Sequence, residues 1–326
     1  MTEVLEDYSL IAVYAAMAIY TLAFIAYTVD LAKRSAPAAA VGGAGAANAA
    51  NARAVGGRAT ALLERLATDA PPAEGAPPAA SAAQRTATAL VVIGWVLQVT
   101  ADVLRGLAAG RVPWANLYEF TLTATAIAMG VYLIFGLFQP IRFLGAYITG
   151  IVLVLLGLAT VNFYVPVTPL PPPLQSYWLV IHVFVASLGT GIFAIGAGLS
   201  IAQLLQARRE SRGTGLGFLA TLPGSTSLEN LAYRVILVGF VFWTFTLIAG
   251  AIWADHAWGR YWGWDTKEVW TFIIWVVFAG YIHARATRGW RGSRSAVLAI
   301  IGFGAVIFNF TIVNLFFKGL HSYSGL

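Results

Sequence analysis

Eight long apolar stretches alternate with polar or Pro/Gly-rich segments, at about 9–32, 88–108, 115–138, 143–164, 177–206, 230–252, 268–287 and 295–317. A helix rises 1.5 Å per residue, so roughly 20 apolar residues cross a bilayer's hydrocarbon core, and each stretch is long enough. The expected fold is all-α, a polytopic membrane protein of about eight transmembrane helices. Composition agrees, with 59% hydrophobic and only 10% charged residues, where a soluble domain carries about 25% charged. No internal repeat is found.

Three units are expected: a transmembrane anchor at 1–34, a linker at 35–86 and a main transmembrane domain at 87–326. The linker is largely Ala, Gly and Pro, with one apolar periodicity between Arg58 and Thr68 that suggests a short surface helix. Residues 164–176, YVPVTPLPPPLQS, are uncharged and proline-rich, which stiffens them into an extended path.

Charge orients the spans. Glu3, Glu6 and Asp7 precede the first stretch and Lys33 and Arg34 follow it, the reverse of a cleavable signal peptide. With the N-terminus outside, fifteen of the twenty basic residues fall on the cytoplasmic side. Arg105, Arg111, Arg260, Lys267 and Lys318 remain outside. That asymmetry follows the positive-inside rule and puts both termini outside. The net charge of +6 follows from this topology, so no nucleic-acid partner is inferred. There is no cysteine, so any thiol chemistry belongs to a partner.

Six of the eleven tryptophans lie in 253–275, WADHAWGRYWGWDTKEVWTFIIW, on the outer side. An interfacial belt needs fewer indoles, and the excess suggests a flat apolar ligand. Trp258, Trp262 and Trp264 alternate with Gly259 and Gly263, which let a plate approach the backbone. Trp253 and Trp270 bracket the segment and have a second reading as interface anchors. Arg260 and Lys267 suit carboxylates such as heme propionates, while Asp265 and Glu268 suit pairing or capping of the seventh span. Asp102, Arg105 and Glu119, near the outer ends of spans two and three, are expected to pair with one another.

The four histidines are His182, His256, His283 and His321. His182 lies roughly 8 Å below the outer end of span five, and is either an axial heme ligand or an interfacial imidazole bonded to a carbonyl. His321 is in the outer polar tail. His283 lies roughly 22 Å along span seven, where ligation and a hydrogen bond to a neighbouring helix stand level. His256, beside Asp255, is a surface loop residue or a ligand, with little between the two.

WGRYWGWD at 258–265 resembles the tryptophan-rich WWD signature of heme-handling membrane proteins, and DTKEVW is similar to the DPKExW that follows it. PWANLYEF at 113–120 resembles a PxSNLYES segment. Together they resemble the CcsA (ResC) family of system II cytochrome c maturation, from about residue 88 onward. The resemblance implies heme b as substrate and ligand, with His182 and His321 as axial ligands of an external site. His283 matches the histidine of an intramembrane site whose second ligand comes from a CcsB/ResB-type partner. His256 matches no ligand position, since relatives read WANEAWG where this chain reads WADHAWG. Trp253, Trp258, Arg260, Trp262, Trp264, Asp265, Lys267 and Trp270 are the heme-facing set.

The implied activity is presentation of heme for thioether attachment to the CxxCH motif of apocytochrome c, as the membrane subunit of a cytochrome c synthase. No side chain here supplies direct catalytic chemistry. Two other readings are a non-catalytic heme exporter or delivery scaffold, and a transporter of another amphipathic substrate. Seventeen Arg against three Lys favours a bacterial plasma membrane over a thylakoid.

Overall fold

The computed structural model describes residues 1–35, 80–213, 215–287, 289–317 and 319–321. The expected linker core, its Arg58–Thr68 helix and Lys318 lie outside these residues. Among the described residues there are eight helices long and apolar enough to cross a membrane and no strand. They are α1 (Thr2–Ser35), α2 (Ala82–Ala109), α3 (Leu117–Phe138), α4 (Gly145–Asn162), α5 (Tyr177–Arg212), α6 (Ser225–Trp258), α7 (Thr266–Thr287) and α8 (Ser293–Phe316). The protein is a multi-pass membrane protein. Most helices outrun their apolar stretches, because polar turns continue past the hydrocarbon-length core: α2 begins at Ala82 under a Ser81 cap, and α6 runs on to Trp258.

α5 is the most enclosed helix, packed by α3, α6 and α8, and carries a dense run of buried small residues. Water gives no hydrophobic drive between helices in lipid, so close approach and internal hydrogen bonds hold them. Gly191 lies so near Ala128 that an added Cβ would sit 2.9 Å from its Cα. On the other flank α1 packs along α2, where the Tyr20 hydroxyl donates to Gln98 Oε1 at 2.8 Å. Gln98 Nε2 donates in turn to Leu122 O at 2.9 Å and to Thr125 Oγ1 at 2.7 Å, carrying the network to α3.

By connectivity, the N-terminus of α1, the 110–116 turn, the proline-rich segment, the 259–265 loop and the C-terminal tail share one end of the bundle. A buried ion cluster braces it. Glu119, fully buried, accepts from Arg105 Nε at 3.0 Å, Arg111 Nη1 at 2.7 Å and Ala115 N at 2.9 Å. Arg105 also donates to Val165 O at 2.6 Å, and Arg111 to Thr168 O at 3.1 Å, pinning the proline-rich segment across the bundle. Glu6 joins from α1, accepting from Val167 N at 3.1 Å.

The expected pairing of Arg105 with Glu119 is therefore present, but Asp102 is not part of it. Asp102 lies one turn deeper and accepts from the Thr123 hydroxyl at 3.0 Å. The short aspartate faces α3, whereas the long arginine reaches the end of the bundle.

Glu119→Gln removes the charge that two arginines share. Breaking such a buried cluster costs about 3–5 kcal/mol, so a clear drop in thermal stability is expected in detergent. An unchanged unfolding midpoint would contradict the bracing role.

Candidate functional site

The polar end of α6 is helical where a loop was expected. Residues 253–258 form its last turns, and Gly259, at φ 68°, ends it in the left-handed conformation that glycine adopts without strain. Helical geometry turns Trp253 inward, so it is a core residue, 2% exposed, with Nε1 donating to Pro173 O at 3.0 Å. That excludes the anchor reading for Trp253. His256 points outward from the same turn and is exposed, its Nδ1 donating to Ile252 O at 2.9 Å. It is a helix residue outside the cavity.

α7 starts with a reciprocal cap. Lys267 N donates to Asp265 Oδ2 at 3.3 Å, and Glu268 reaches back to accept from Asp265 N at 3.0 Å and Gly263 N at 2.8 Å. This is a capping box on the sequence DTKE, and it fixes the tight loop before it. Asp265 has a second task. Its Oδ1 accepts from Leu320 N at 3.0 Å and its Oδ2 from His321 Nδ1 at 2.7 Å, which docks the C-terminal tail. Gly319 is required at that approach, since a Cβ would lie 2.2 Å from Oδ1.

The tail bond keeps the Asp265 carboxyl ionised, with its pKa lowered to about 2 chiefly by the His321 hydrogen bond. Burial lowers the pKa of His321, partly opposed by Asp265. The resulting pair is a carboxylate and a neutral imidazole that donates through Nδ1. Its Nε2 lone pair is left for a ligand.

His182 is held in the same manner by a different partner. Its Nδ1 donates to Thr246 O on α6 at 3.0 Å, which again frees Nε2. Gly250 makes room for the ring, because a Cβ there would lie 2.7 Å from His182 Cε1. The Trp253 indole touches both imidazoles, stacked on His182 at 5.8 Å between centroids and edge-on to His321 at 5.4 Å. Trp258 packs edge-on to His321 at 4.9 Å.

Both imidazoles line each of two adjoining cavities, a first and a second lobe of the site, which also share Thr246, Lys267 and Thr271. The first lobe has about 830 Å³ of space including its mouth, and is walled by Leu117, Phe120, Val183, Trp243 and Phe310. The second, about 490 Å³, lies toward Gly250, Tyr261 and Trp262. Asn309 and Phe310 reach the first lobe from a π-helical turn, Asn309–Val313, inside α8, and Asn314 reaches it from the residue that follows. Lys267 donates to Asn314 there, and its ammonium lies 5.5 Å from the Phe310 ring centroid.

Among the described residues no group of three His, Cys, Asp or Glu side chains could hold a bare metal ion. Two imidazoles lining one cavity, each with Nδ1 engaged and Nε2 left without a hydrogen bond among the described residues, suit a metal whose other donors lie in a flat macrocycle. The aromatic walls suit the faces of that macrocycle. Heme fits this donor set.

Of the remaining expected residues, Trp262 lines the second lobe and is 38% exposed, and Trp264 projects outward at 78%. Trp264 has φ 61°, an unusual backbone for a bulky residue and a mark of local strain in the loop. Trp270 packs on Phe308 at 4.4 Å and does not line the cavity. Arg260 lies beside Glu268 at 4.0 Å and also stays out of the lining. His283 is far from this cavity, exposed on α7, and its ring has no hydrogen-bond partner among the described residues. The sequence had not singled out Trp114, Asn116, Trp243 and Asn309. Only the PWANLYEF segment signalled the first two.

A family model described as cytochrome C assembly protein matches residues 114–321. Cytochrome c biogenesis protein CcsA of Trieres chinensis is 34% identical over 271 residues, covering 72% of this chain and 87% of its own length. The protein of that name from Guillardia theta is 38% identical over 242 residues, 68% of this chain and 80% of its own. The one from Synechocystis sp. is 34% identical over 304 residues, 77% and 88%. The solved structure of Cytochrome c Heme Lyase CcmF shares the fold, with a TM-score of 0.62 at 16% identity over 94% of this chain. This chain spans about half of that one, 46% of its length.

Fold and site define a multi-pass membrane protein with a two-histidine cavity at one end of its helical bundle. The chain belongs to the CcsA family of cytochrome c assembly proteins, which places it in cytochrome c biogenesis.

Asp265→Asn weakens a charged hydrogen bond to a neutral one. The Leu320 amide is expected to exchange its hydrogen about tenfold faster, from a loss of roughly 1.5 kcal/mol. An unchanged rate, measured by hydrogen exchange with mass spectrometry, would contradict tail docking through Asp265.

Proposed function

We propose that this protein binds heme between His182 and His321 and presents it for covalent attachment to apocytochrome c, acting with a CcsB/ResB-type partner. The observation that carries the proposal is that both imidazoles line one cavity with Nδ1 engaged and Nε2 free. The end of the bundle with this cavity faces the periplasm or cell exterior, since most basic residues lie at the other end. The membrane is the plasma membrane.

The chain has no thiol, so the nucleophiles are the two cysteines of the substrate's CxxCH. Each S–H adds across a heme vinyl group, sulfur to the carbon next to the ring and hydrogen to the terminal carbon, with no net oxidation. The protein contributes position: it fixes the plate and turns a multi-component encounter into a local one. Tyr261 and Trp262 line the second lobe, Trp264 packs edge-on to Trp262 and projects outward, and together they form the edge that an incoming peptide meets. The substrate's own histidine then displaces one axial imidazole.

His283 serves an earlier step. Its ring is exposed on α7, available to a ligand shared with a histidine of the partner, and heme held there passes to the external site.

The test is co-expression with a ResB-type partner and a reporter apocytochrome c in cells lacking other maturation proteins, read by covalent heme staining of the reporter. Holocytochrome is expected, reduced at least tenfold by His182→Ala or His321→Ala. Bound heme without covalent product would support a delivery scaffold instead. Absence of heme from the complex would favour a transporter of another amphipathic substrate. His283→Ala is expected to lower the heme content of the purified complex, and unchanged content and yield would exclude the intramembrane route.

A further inference from the structure

The first lobe of the cavity is apolar over most of its wall, and yet residues that line it carry buried polar atoms with no partner. Trp114 Nε1, Asn116 Nδ2 and Asn309 Oδ1 all lack a hydrogen bond among the described residues. Asn116 is 5% exposed and Asn309 1%. An unpaired buried donor is costly, and natural interiors avoid that cost unless a ligand or water meets the group.

The two donors come from one turn. Asn116 is the N-cap of α3, and its Oδ1 accepts from Glu119 N at 2.9 Å. That bond fixes which end of the amide is left over, so the Nδ2 donor is the spare one. The turn itself cannot drift, because Glu119 accepts from Ala115 N between the two residues and is locked by Arg105 and Arg111. Lys267 supplies a cation to the same cavity, with one ammonium hydrogen spent on Asn314. Asn309 Oδ1 is an acceptor and offers nothing to an anion.

Two rigid neutral donors and an ammonium, set in apolar walls beside the imidazole pair, match a carboxylate on an otherwise apolar plate. We propose that Trp114, Asn116 and Lys267 form a carboxylate subsite that takes a propionate edge of the tetrapyrrole and so fixes its rotation in the pocket. The inference rests on the heme-binding reading above. The propionate edge lies in the first lobe, and the vinyl edge is thereby turned toward the second, where Tyr261 and Trp262 stand at the opening. These three are positioning residues: they act on the orientation of the plate and touch no reacting carbon. Arg260, outside the cavity lining, has no share in the subsite.

The test uses the full-length chain from a host unable to make heme, purified in detergent and titrated with zinc protoporphyrin IX and, separately, with its dimethyl ester, by porphyrin fluorescence. Wild type is expected to bind the free acid at least tenfold more tightly than the ester, the effect of one hydrogen bond to a charged group. Asn116→Asp keeps the oxygen that caps α3 and replaces the donor with a repelling oxygen. It is expected to bind the ester as wild type does and to lose the preference for the acid. Trp114→Phe, which keeps the ring and drops only the N–H, is expected to weaken acid binding several-fold with no change for the ester. Equal wild-type affinity for acid and ester, or a preference that survives Asn116→Asp, would overturn the subsite and leave heme binding standing. Binding of neither porphyrin would overturn the heme reading itself.

Discussion

One carboxylate joins three parts of this protein that would otherwise be independent. Asp265 caps α7, holds the backbone of the C-terminal tail and accepts a hydrogen bond from Nδ1–H of His321. Its charge is stabilised where it stands, at a helix N-terminus and among N–H donors. The ring of His321 can thus be neutral, oriented and open at Nε2 all at once. His182 obtains the same state from a carbonyl on α6, with Gly250 supplying the space. An axial ligand needs an oriented lone pair, and both histidines meet that need through what their other nitrogen does.

The rest of the loop end serves to keep those two rings in register. Glu119, with Arg105 and Arg111, closes the proline-rich segment over the bundle, and Pro173 in turn anchors the indole of Trp253 that packs against both imidazoles. A buried ion cluster is a poor device for stability alone, since its desolvation is costly. Here it fixes a turn whose neighbouring side chains, Trp114 and Asn116, face the cavity. Rigid backbone at the mouth and rigid imidazoles at the centre together make a site able to hold a plate in one orientation.

The eight helices were legible in the sequence because lipid demands unbroken apolar runs, and most helices outrun those runs at polar turns that hydropathy does not count. The end of α6 was misplaced at the first polar residues after 252, although Gly259 was the stop signal. His256 then reads as a loop residue and Trp253 as a bracketing residue with an anchor reading, when helical spacing puts Trp253 in the core and His256 outside. Pairing of Arg105 with Glu119 followed from the cost of burying either alone, while Asp102 escaped because the depth of a side chain along a helix is not written in its type. The convergence of His182 and His321, 139 positions apart in sequence by their numbers, came only from resemblance to a family. Asn309 had no signal at all, because the π turn that swings it inward leaves no mark in the residue pattern. The unpaired donors of Trp114 and Asn116 appear only when the whole hydrogen-bond network is known.

The central claim is that two histidines of this chain ligate one iron at the loop end. Electron paramagnetic resonance and near-infrared magnetic circular dichroism of the ferric complex, purified with its ResB-type partner, address it most directly. The account predicts a low-spin bis-imidazole signal whose external-site component His182→Ala or His321→Ala converts to another ligation state, whereas His283→Ala lowers heme content without changing the ligation of that component. A bis-imidazole signal unchanged by both His182→Ala and His321→Ala would contradict it, and the cavity at the loop end would then need another occupant.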